Sequence, residues 1–467
     1  MKKLLLLVLL ISFPNWIYAQ CYTNITFGGG HTVAKKADGS LWGWGFGDWG
    51  ELLTTNQTEP NPIALGTATD WNKVANGVIN TFVIKNNGTL WGCGSNQFGS
   101  LGVNSNTQTF ATFQQITTAT NWVKVSAAIY FTLGLKSDGT IWAWGQNDQY
   151  QLGNSPATAQ QLSPIQVGIA TDWVDIATGT NRTAFAIKSN GTIWGWGANP
   201  SSIIISGSST QTVNTPTQVG TSTNWVKMSV GSAHILAQKS DGTLWSWGGG
   251  SGLGLGGSPS VTNIPQQIST DVWKNFTTGT NTSFAIKSDG TLWAWGLNTN
   301  GQLADGTSTD RLVPTQIGTE TNWATVQARN YATTMATKTD GTVWYWGRNY
   351  YGEFGNGSSY MNVYFNSPQQ TTGICITSLD SPVFEKKEAL ILSPNPAKDF
   401  VSVSYDFSSG AAQLEVYDIA GRIISSEILT SSSGELQFNT STYAAGLYMV
   451  VVKQDGVLLA QKKLVIE

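Results

Sequence analysis

The sequence predicts an all-β protein: a seven-bladed β-propeller followed by a small C-terminal β-sandwich. Three observations support this fold class: a hairpin signature that occurs seven times, short strands without helical periodicity, and a change of composition near residue 376. Four short strands repeated about every 50 residues are typical of a propeller, in which each repeat supplies one blade. The 467 residues suffice for the propeller and a second domain.

The first 19 residues are expected to form a signal peptide. Lys2 and Lys3 precede an apolar run at residues 4–11, and Ala19 is a small residue suited to cleavage. The apolar run is too short to span a membrane. We therefore expect export through the periplasm, with the mature chain secreted or held at the outer cell surface.

Seven copies of the signature Lys-x-(Asp/Asn)-Gly-x-(Leu/Ile/Val)-Trp-x-(Trp/Cys)-Gly organise residues 20–376. They begin 48 to 52 residues apart at Lys36, Lys85, Lys136, Lys188, Lys239, Lys287 and Lys338. Asp-Gly or Asn-Gly between two apolar runs predicts a tight hairpin, because both turn residues need a positive φ. The unit that closes at Gly296 has extended residues at 265–268, 272–276, 283–287 and 291–296. Each unit is thus predicted to contain four strands.

Tryptophan is the second regular feature of the repeats. Of the 21 tryptophans, 13 lie in the signature and six begin the second strand of a unit. A sugar-binding site occurs once or a few times in a protein, whereas these rings occur in every unit. We therefore expect most of them to fill the space between stacked blades.

The ends of the propeller are expected to meet. The first unit lacks the outer Pro-x-Gln strand of the others, and such a strand appears after the seventh unit, at residues 367–370. Alignment of the units on their turn glycines places Cys21 and Cys375 next to each other. We predict a disulfide between them, as an oxidising compartment allows. Cys93 replaces a signature tryptophan and is expected to be a small buried residue.

The surface composition excludes some classes of partner. Only 11% of the residues are charged, the formal net charge is −3, and there is no basic run. A nucleic-acid partner is therefore not expected. An uncharged surface rich in Thr, Asn and Ser fits a secreted β protein.

The signature lies within a longer motif. Residues 28–32 read G-x-x-H-T, and residues 145–153 and 296–303 follow G-x-N-x-x-G-Q-L-G closely. These motifs resemble the regulator of chromosome condensation repeat family over about residues 21–376. The resemblance implies a seven-bladed propeller. The namesake exchanges nucleotide on a small GTPase and docks on chromatin, but a signal peptide would separate this chain from both, so no small GTPase is expected. Secreted bacterial relatives, including a propeller that inhibits β-lactamases, look like protein-binding platforms, and the resemblance to them implies a protein partner.

The chain after Cys375 has a different composition. Residues 377–388 are expected to be a linker, and the alternation at Val401, Val403 and Tyr405 predicts a β-sandwich over residues 389–467. Four short motifs follow in order: Pro394-Asn395-Pro396, Asp418 with Gly421-Arg422, Gly446-Leu447-Tyr448 and Lys463-Leu464. They resemble the C-terminal sorting domain of the type IX secretion pathway of Bacteroidetes. The resemblance implies that the secretion machinery is a partner of this domain.

Residues that could carry chemistry are mostly bound to the repeat. His31 and His234, the only histidines, occupy one repeat position, and the turn aspartates are replaced by Asn87 and Asn190 in two units. A catalytic acid does not tolerate such an exchange, whereas a turn does. We expect no metal, no cofactor and no catalytic residue. The alternative, a polysaccharide-degrading enzyme, would have to use Asp48 with Glu51, or Glu353.

Aromatic residues outside the repeat pattern are the candidate binding residues. They lie in the loops after the first and seventh signatures: Phe46, Trp49, Tyr350, Tyr351, Tyr360 and Tyr364. Blades one and seven are neighbours in a closed ring, so these rings are expected to form one patch. We expect a monomeric, non-catalytic binding propeller whose partner is an extracellular or cell-surface protein. A carbohydrate-binding lectin is the leading alternative.

Overall fold

The computed structural model describes residues 20–154, 158–204, 211–257, 261–328, 332–359, 364–377, 390–406, 412–418, 422–431, 433–454 and 457–466. The predicted signal peptide and nearly all of the predicted linker lie outside these ranges. The chain divides into two compact units, Met1–Ser381 and Pro382–Glu467. In the described ranges the regular structure is β-strand, apart from short 3₁₀ helices at Gln97–Gly99, Pro200–Ser202 and Ser251–Leu253. None of the described helices is long and apolar enough to cross a bilayer.

The first unit contains seven sheets, which are the blades of a propeller. Blades 1 and 2 consist of β2 (Asn24–Phe27), β3 (His31–Lys35), β4 (Leu41–Phe46) and β5 (Thr58–Ala64), and of β6 (Trp71–Asn76), β7 (Asn80–Lys85), β8 (Leu90–Ser95) and β9 (Thr109–Gln115). Blades 3 and 4 consist of β10 (Trp122–Ala127), β11 (Phe131–Lys136), β12 (Ile141–Gln146) and β13 (Gln160–Gln166), and of β14 (Trp173–Gly179), β15 (Thr183–Lys188), β16 (Ile193–Ala198) and β17 (Thr212–Gln218).

The remaining three blades have the same strand order. Blades 5 and 6 consist of β18 (Trp225–Val230), β19 (His234–Lys239), β20 (Leu244–Gly249) and β21 (Val261–Gln267), and of β22 (Trp273–Thr278), β23 (Thr282–Lys287), β24 (Leu292–Gly296) and β25 (Arg311–Gln316). Blade 7 consists of β26 (Trp323–Ala328), β27 (Thr333–Lys338), β28 (Thr342–Arg348) and β29 (Tyr364–Ile376), with β1 (Gln20–Tyr22) as a fifth strand. The fold class predicted from the sequence is confirmed.

The signature turn explains its own residue pattern. Asp138 Oδ1 accepts hydrogen bonds from the backbone N (3.0 Å) and the hydroxyl (2.6 Å) of Thr140, and Trp142 Nε1 donates to that hydroxyl at 3.0 Å. An Asn oxygen can accept the same bonds, as Asn87 does, which confirms that these residues serve the turn. The glycine is required for two reasons in blade 1. Gly39 has a φ of +84°, and a Cβ there would lie 1.9 Å from a backbone oxygen.

The signature lysine lies over two aromatic rings in each blade. Lys136 Nζ is 3.9 Å from the ring centroid of Trp142 and 4.8 Å from that of Trp122, which begins the innermost strand. Equivalent cation–π contacts occur in the other blades. The first tryptophan of the signature is half-buried in this arrangement. Such contacts contribute roughly 0.5–1 kcal/mol each at exposed sites.

The second tryptophan of the signature joins neighbouring blades. Its ring is buried, and in five blades its Nε1 donates to a backbone oxygen of the preceding blade at 2.8–3.0 Å: Trp44 to Glu353, Trp144 to Ser100, Trp196 to Gln151, Trp247 to Ile203 and Trp295 to Gly252. Cys93, in blade 2, is buried as predicted, and its Sγ contacts the oxygen of Glu51 at 3.6 Å. The rings therefore hold the blades together, as the repeat pattern predicts.

The repeat unit that the sequence predicts begins one strand before the blade of the structure. The prediction that the first unit lacks its outer strand is therefore wrong. The Pro-x-Gln strand β21 pairs with the signature strand β20 that precedes it, so it completes blade 5 and does not begin blade 6. Blade 1 therefore has its own outer strand, β5, and β29 is the outer strand of blade 7. A periodic pattern does not reveal where a unit starts, because any phase gives the same period.

The ring closes between blades 7 and 1. β1 pairs in parallel with β29, and Cys21 lies opposite Cys375, to which it is joined by the predicted disulfide. The side chain of Gln327 also bonds the backbone N of Phe27 at 3.1 Å and the backbone O of Ile25 at 3.0 Å. Closure thus uses a covalent bond, a strand pairing and side-chain hydrogen bonds.

The second unit is built from two sheets. The first contains β30 (Leu390–Ser393), β31 (Phe400–Asp406) and β34 (Ser433–Asn439), and the second contains β32 (Ala412–Asp418), β33 (Ile423–Leu429), β35 (Gly446–Gln454) and β36 (Val457–Ile466). Buried residues of both sheets, including Val403 and Val450, form one hydrophobic core. The sheets therefore pack face to face, as a sandwich requires.

Candidate functional site

Antiparallel pairing places two kinds of connection on one end of the propeller, which we call the loop face. His31, at the start of β3, pairs with Gly45 near the end of β4, so the turn at 28–30 and the loop after Phe46 emerge together. The same register occurs in the other blades. The signature turns lie at the opposite end. The loop face therefore carries the segments that differ most between the blades.

Three of the predicted binding residues cluster on the loop face where blade 7 meets blade 1. The ring centroids of Phe46 and Tyr351 are 4.5 Å apart, and those of Tyr350 and Tyr351 are 4.6 Å apart. The guanidinium carbon of Arg348 lies 5.6 Å from the ring of Tyr350 and 5.3 Å from that of Tyr351. The three rings are half-buried, so each packs on its neighbours and still presents surface to solvent.

The other predicted binding residues lie around this cluster or outside the described residues. Trp49 is half-buried in the loop of blade 1, and its ring does not join the Phe46–Tyr351–Tyr350 contacts. Tyr364 begins β29 opposite Arg348, at the loop-face end of blade 7, and is 40% exposed. Tyr360 lies outside the described residues.

Two further aromatic residues belong to the same face, and the sequence reasoning missed them. Phe98 is 41% exposed, and its ring centroid is 5.2 Å from that of Tyr130 in blade 3. Phe98 takes the place in its loop that Trp49 and Tyr351 take in theirs, so alignment of the loops would have found it. We use the name aromatic arc for the six residues that follow one another over blades 7, 1, 2 and 3: Tyr350, Tyr351, Phe46, Trp49, Phe98 and Tyr130.

The blade 2 part of the loop face is poor in charge, whereas Arg348 and the exposed Asp48 lie beside the rings of blades 7 and 1. Residues 96–108, which form the loop of blade 2, and the turns at 28–30, 77–79 and 128–130 contain no Asp, Glu, Lys or Arg. In blade 3, Asp148 pairs with Arg182 of blade 4 at 3.5 Å. An aromatic surface with few charges is typical of the core of a protein interface.

The carboxylates considered for catalysis are loop-forming residues. Glu51 Oε2 accepts the backbone N of Trp49 at 2.9 Å, and Glu353 Oε2 accepts that of Tyr351 at 2.8 Å. Both carboxyls are buried, and burial raises the pKa of Glu51 to about 8 and that of Glu353 to about 7. Asp48, which lies near Glu51, is exposed. Both carboxyls therefore hold the backbone of their own loops.

The histidines join blades. His31 Nε2 lies 3.1 Å from Thr81 Oγ1 of blade 2, and His234 Nε2 lies 2.9 Å from Ser283 Oγ of blade 6. Burial lowers the pKa of His234 to about 4, so its imidazole is neutral at physiological pH. Within the described ranges, no group of three or more His, Cys, Asp or Glu side chains is arranged to hold a metal ion.

Family models match both units of the chain. The model of the RCC1-like domain matches residues 114–385, and that of the secretion system C-terminal sorting domain matches residues 392–467. The second match places a sorting signal at the C-terminal unit, which indicates secretion or a location at the outer surface.

The similar proteins are diverse. The probable E3 ubiquitin-protein ligase HERC6 of Homo sapiens is 31% identical over 154 residues, which are 31% of this chain and 15% of that protein. The X-linked retinitis pigmentosa GTPase regulator homolog of Caenorhabditis elegans is 26% identical over 272 residues, with 48% of this chain and 19% of that protein covered. The chain thus spans less than a fifth of either relative. The crystal structure of human WBSCR16 matches with a TM-score of 0.60 at 20% identity, over 66% of this chain and 85% of that chain, which shows a shared fold.

Proposed function

Because this chain belongs to the RCC1-like domain family and ends in a secretion sorting domain, we propose that it is an exported propeller that binds a partner protein at or outside the cell surface. The binding surface is the loop face, and the aromatic arc provides its anchors. The role is interaction or adhesion without catalysis. The sorting domain engages the secretion machinery, and residues 1–19 direct the chain to the periplasm before that step.

One observation supports this proposal above the others: the clustering of aromatic rings on the loop face. Phe46, Tyr350 and Tyr351 come from two blades and pack together at 4.5–4.6 Å, which holds the rings in place before a partner arrives. Rings held in place lose little conformational freedom on binding, so more of the contact energy appears as affinity. Large aromatic residues are also enriched among the residues that dominate binding energy at interfaces.

The activities that appear in the names of the relatives are not assigned to this chain. A shared propeller fold supports many unrelated functions, so partners must be argued from the surface of this chain. Ubiquitin ligation and GTPase regulation are named for relatives of which this chain spans 15% and 19%. The loop face of this chain therefore remains the basis of the proposal.

The proposal is tested with the full secreted chain immobilised and exposed to surface and culture proteins, with a glycan panel in parallel. We expect a saturable protein partner whose binding weakens by tenfold or more in Tyr351→Ala and in Phe98→Ala, since anchor residues contribute about 2 kcal/mol or more. Ile169→Ala is the matched control, because Ile169 is 95% exposed in a connection away from the loop face.

Each other outcome has a clear meaning. Glycan capture that is lost in the same two variants, without protein capture, would replace the proposal by the lectin alternative. Protein capture that survives both variants and is lost in Ile169→Ala would move the binding surface away from the loop face. Turnover of a polysaccharide would contradict a non-catalytic role.

A further inference from the structure

The outer edge of blade 2 differs from the outer edges of the other blades. Its outermost strand is β9, and no described strand pairs with the far side of β9. In an antiparallel ladder, the backbone groups of successive residues point alternately to the neighbouring strand and to the free edge. Gln114 is paired with Gly92 of β8, and Ile116 donates its backbone N–H to an oxygen of the same strand. Phe113 and Gln115 therefore direct their N–H and C=O groups to the free edge.

Proline blocks this edge in the other six blades. The residue that corresponds to Phe113 is proline in each of them: Pro62, Pro164, Pro216, Pro265, Pro314 and Pro368. In blade 3, for example, this proline precedes Ile165, which pairs with Ala143 of the signature strand. Proline has no N–H, so these strands lack a donor at the free edge, and such strands resist pairing with another strand. β9 keeps the donor, and it contains neither proline nor a charged residue.

A loop of the preceding blade occupies the edge further in blades 1, 3, 6 and 7. A backbone N–H of that loop donates to an oxygen of the outer strand at 2.8–2.9 Å: Gly357 to Pro60, Asn104 to Leu162, Gly256 to Leu312 and Gly306 to Asn366. All four donor residues have a positive φ. Thr55 takes this position in the loop of blade 1, and a β-branched residue does not readily adopt a positive φ. The corresponding oxygen of β9, that of Ala111, accepts no hydrogen bond from any described residue.

We propose that the outer edge of blade 2 accepts an extended segment of the partner protein, which adds a strand to β9. That the partner is a protein rests on the proposed function, whereas the open edge does not. The edge starts at the loop face, because Thr109 at the start of β9 pairs with Ser95, where the loop that carries Phe98 begins. A partner on the aromatic arc therefore reaches the edge directly. β1 shows that the fold accepts such a strand, since it pairs with the outer edge of blade 7.

The side chains beside the edge define the chemistry of the segment. Phe110 packs against the core between blades 2 and 3, and Phe113 packs against the core between blades 1 and 2. The ring centroid of Phe113 lies 4.9 Å from that of Trp71. Both phenylalanines are half-buried, so each also presents surface to solvent. An added strand places alternate side chains on the two faces of the sheet, beside these rings. The segment therefore carries apolar or β-branched residues on both faces and has no proline at its centre.

The probe is a library of random peptides displayed on phage and selected on the immobilised full chain. The selected peptide is synthesised, and its affinity is measured for the unchanged protein and for two variants. We expect Phe113→Pro to weaken binding by about tenfold or more, because it removes an edge hydrogen bond and places the proline ring in the path of the added strand. The other six blades show that the fold accepts proline at this position. Phe113→Val is the matched control: it also removes the ring but keeps the N–H, so binding should weaken by less than about threefold.

Three results would overturn strand addition by a partner. The first is a selection that yields no peptide, or only peptides that bind Phe113→Pro as well as the unchanged protein. The second is a dimer of the unchanged chain that becomes a monomer in Phe113→Pro, which would assign the edge to a second copy. The third is a captured protein whose binding is lost in Phe98→Ala and unaffected by Phe113→Pro. That third result would leave the proposed function of the loop face standing, so the two proposals can fail separately.

Discussion

The buried side chain of Glu51 has the shape of the glutamine at the same repeat position, but unlike glutamine it can ionise. Glu51 stands where Gln151 stands two blades away, and each accepts the backbone N two residues earlier, at 2.9 Å and 2.8 Å. A protonated carboxyl has nearly the shape of the amide. Burial favours that neutral form and raises the pKa of Glu51 to about 8. Glutamate in place of glutamine therefore keeps the hydrogen bond of the loop and makes the stability of the propeller depend on pH.

We predict that Glu51→Gln stabilises the propeller at pH 8 and has little effect near pH 4.5. In the unfolded chain Glu51 ionises near its usual pKa of 4.5, whereas in the fold it stays neutral up to about pH 8. The folded state therefore loses up to about 1.4 kcal/mol of stability for each pH unit between these two values. Gln has no such loss. Melting temperatures measured from pH 4.5 to pH 8 should diverge steadily between the two proteins.

Glu59→Gln is the matched control for that series. Glu59 lies on β5 of the same blade, and its carboxylate accepts a hydrogen bond from the exposed Asn56 at the surface. Its replacement should not reproduce the divergence. A constant difference between Glu51→Gln and the unchanged protein across the pH range would show that the carboxyl is ionised in the fold.

At the scale of the element, the signature strand joins each blade to the one before it. Trp295 Nε1 donates to the oxygen of Gly252 in blade 5 at 2.8 Å, and the ring is fully buried. Trp346, at the same position in blade 7, is also buried, but its Nε1 has no acceptor among the described residues. The two residues separate the effect of the ring from the effect of the hydrogen bond.

We predict that Trp295→Phe lowers the free energy of unfolding by about 1–2 kcal/mol more than Trp346→Phe does. Both changes remove similar apolar volume. The first also removes a buried hydrogen bond, although the oxygen of Gly252 keeps the bond from Ser283 Oγ at 2.8 Å, whereas the second removes a buried N–H that has no acceptor among the described residues. Urea unfolding of the two variants, compared by their midpoints, measures the difference. Equal losses in both variants would mean that ring packing alone joins the blades.

At the scale of the whole molecule, the propeller is a ring that must be closed at one place. Cys21 and Cys375 are separated by 354 residues and close a loop that contains all seven blades. Around the rest of the ring, neighbouring blades are consecutive in the chain. Between blades 7 and 1 they are not, so the disulfide and the β1–β29 pairing replace that connection.

We predict that replacing both Cys21 and Cys375 by Ser destabilises the fold by roughly 2–5 kcal/mol, as the loss of a native disulfide usually does. Thermal unfolding with and without reductant measures this. Reductant should lower the melting temperature of the unchanged protein and leave that of the double variant unchanged. A propeller whose melting temperature does not respond to either change would be closed by its non-covalent contacts.

Much of the fold was predictable because it depends on local chemistry. An Asp-Gly or Asn-Gly pair, such as Asp138-Gly139, predicts a hairpin turn, and the number of signature turns equals the number of blades. The cysteine pairing followed from aligning the repeats. The candidate site was predictable only in part. The clustering of Phe46 with Tyr350 and Tyr351 followed from ring closure. Phe98 and Tyr130 were not predicted, because each of them, taken alone, is an ordinary loop residue.

The sequence by itself determined the all-β class, the number of blades and the disulfide, because turn residues and periodic rings act over a few positions and repeat. Only the tertiary structure decided which strand begins a blade, that Glu51 is buried, and that Asp175 lies between lysines of the two flanking blades. These features depend on which residues of neighbouring blades meet. Residues about 50 positions apart become neighbours only when the ring is assembled, so no local sequence pattern predicts their contact.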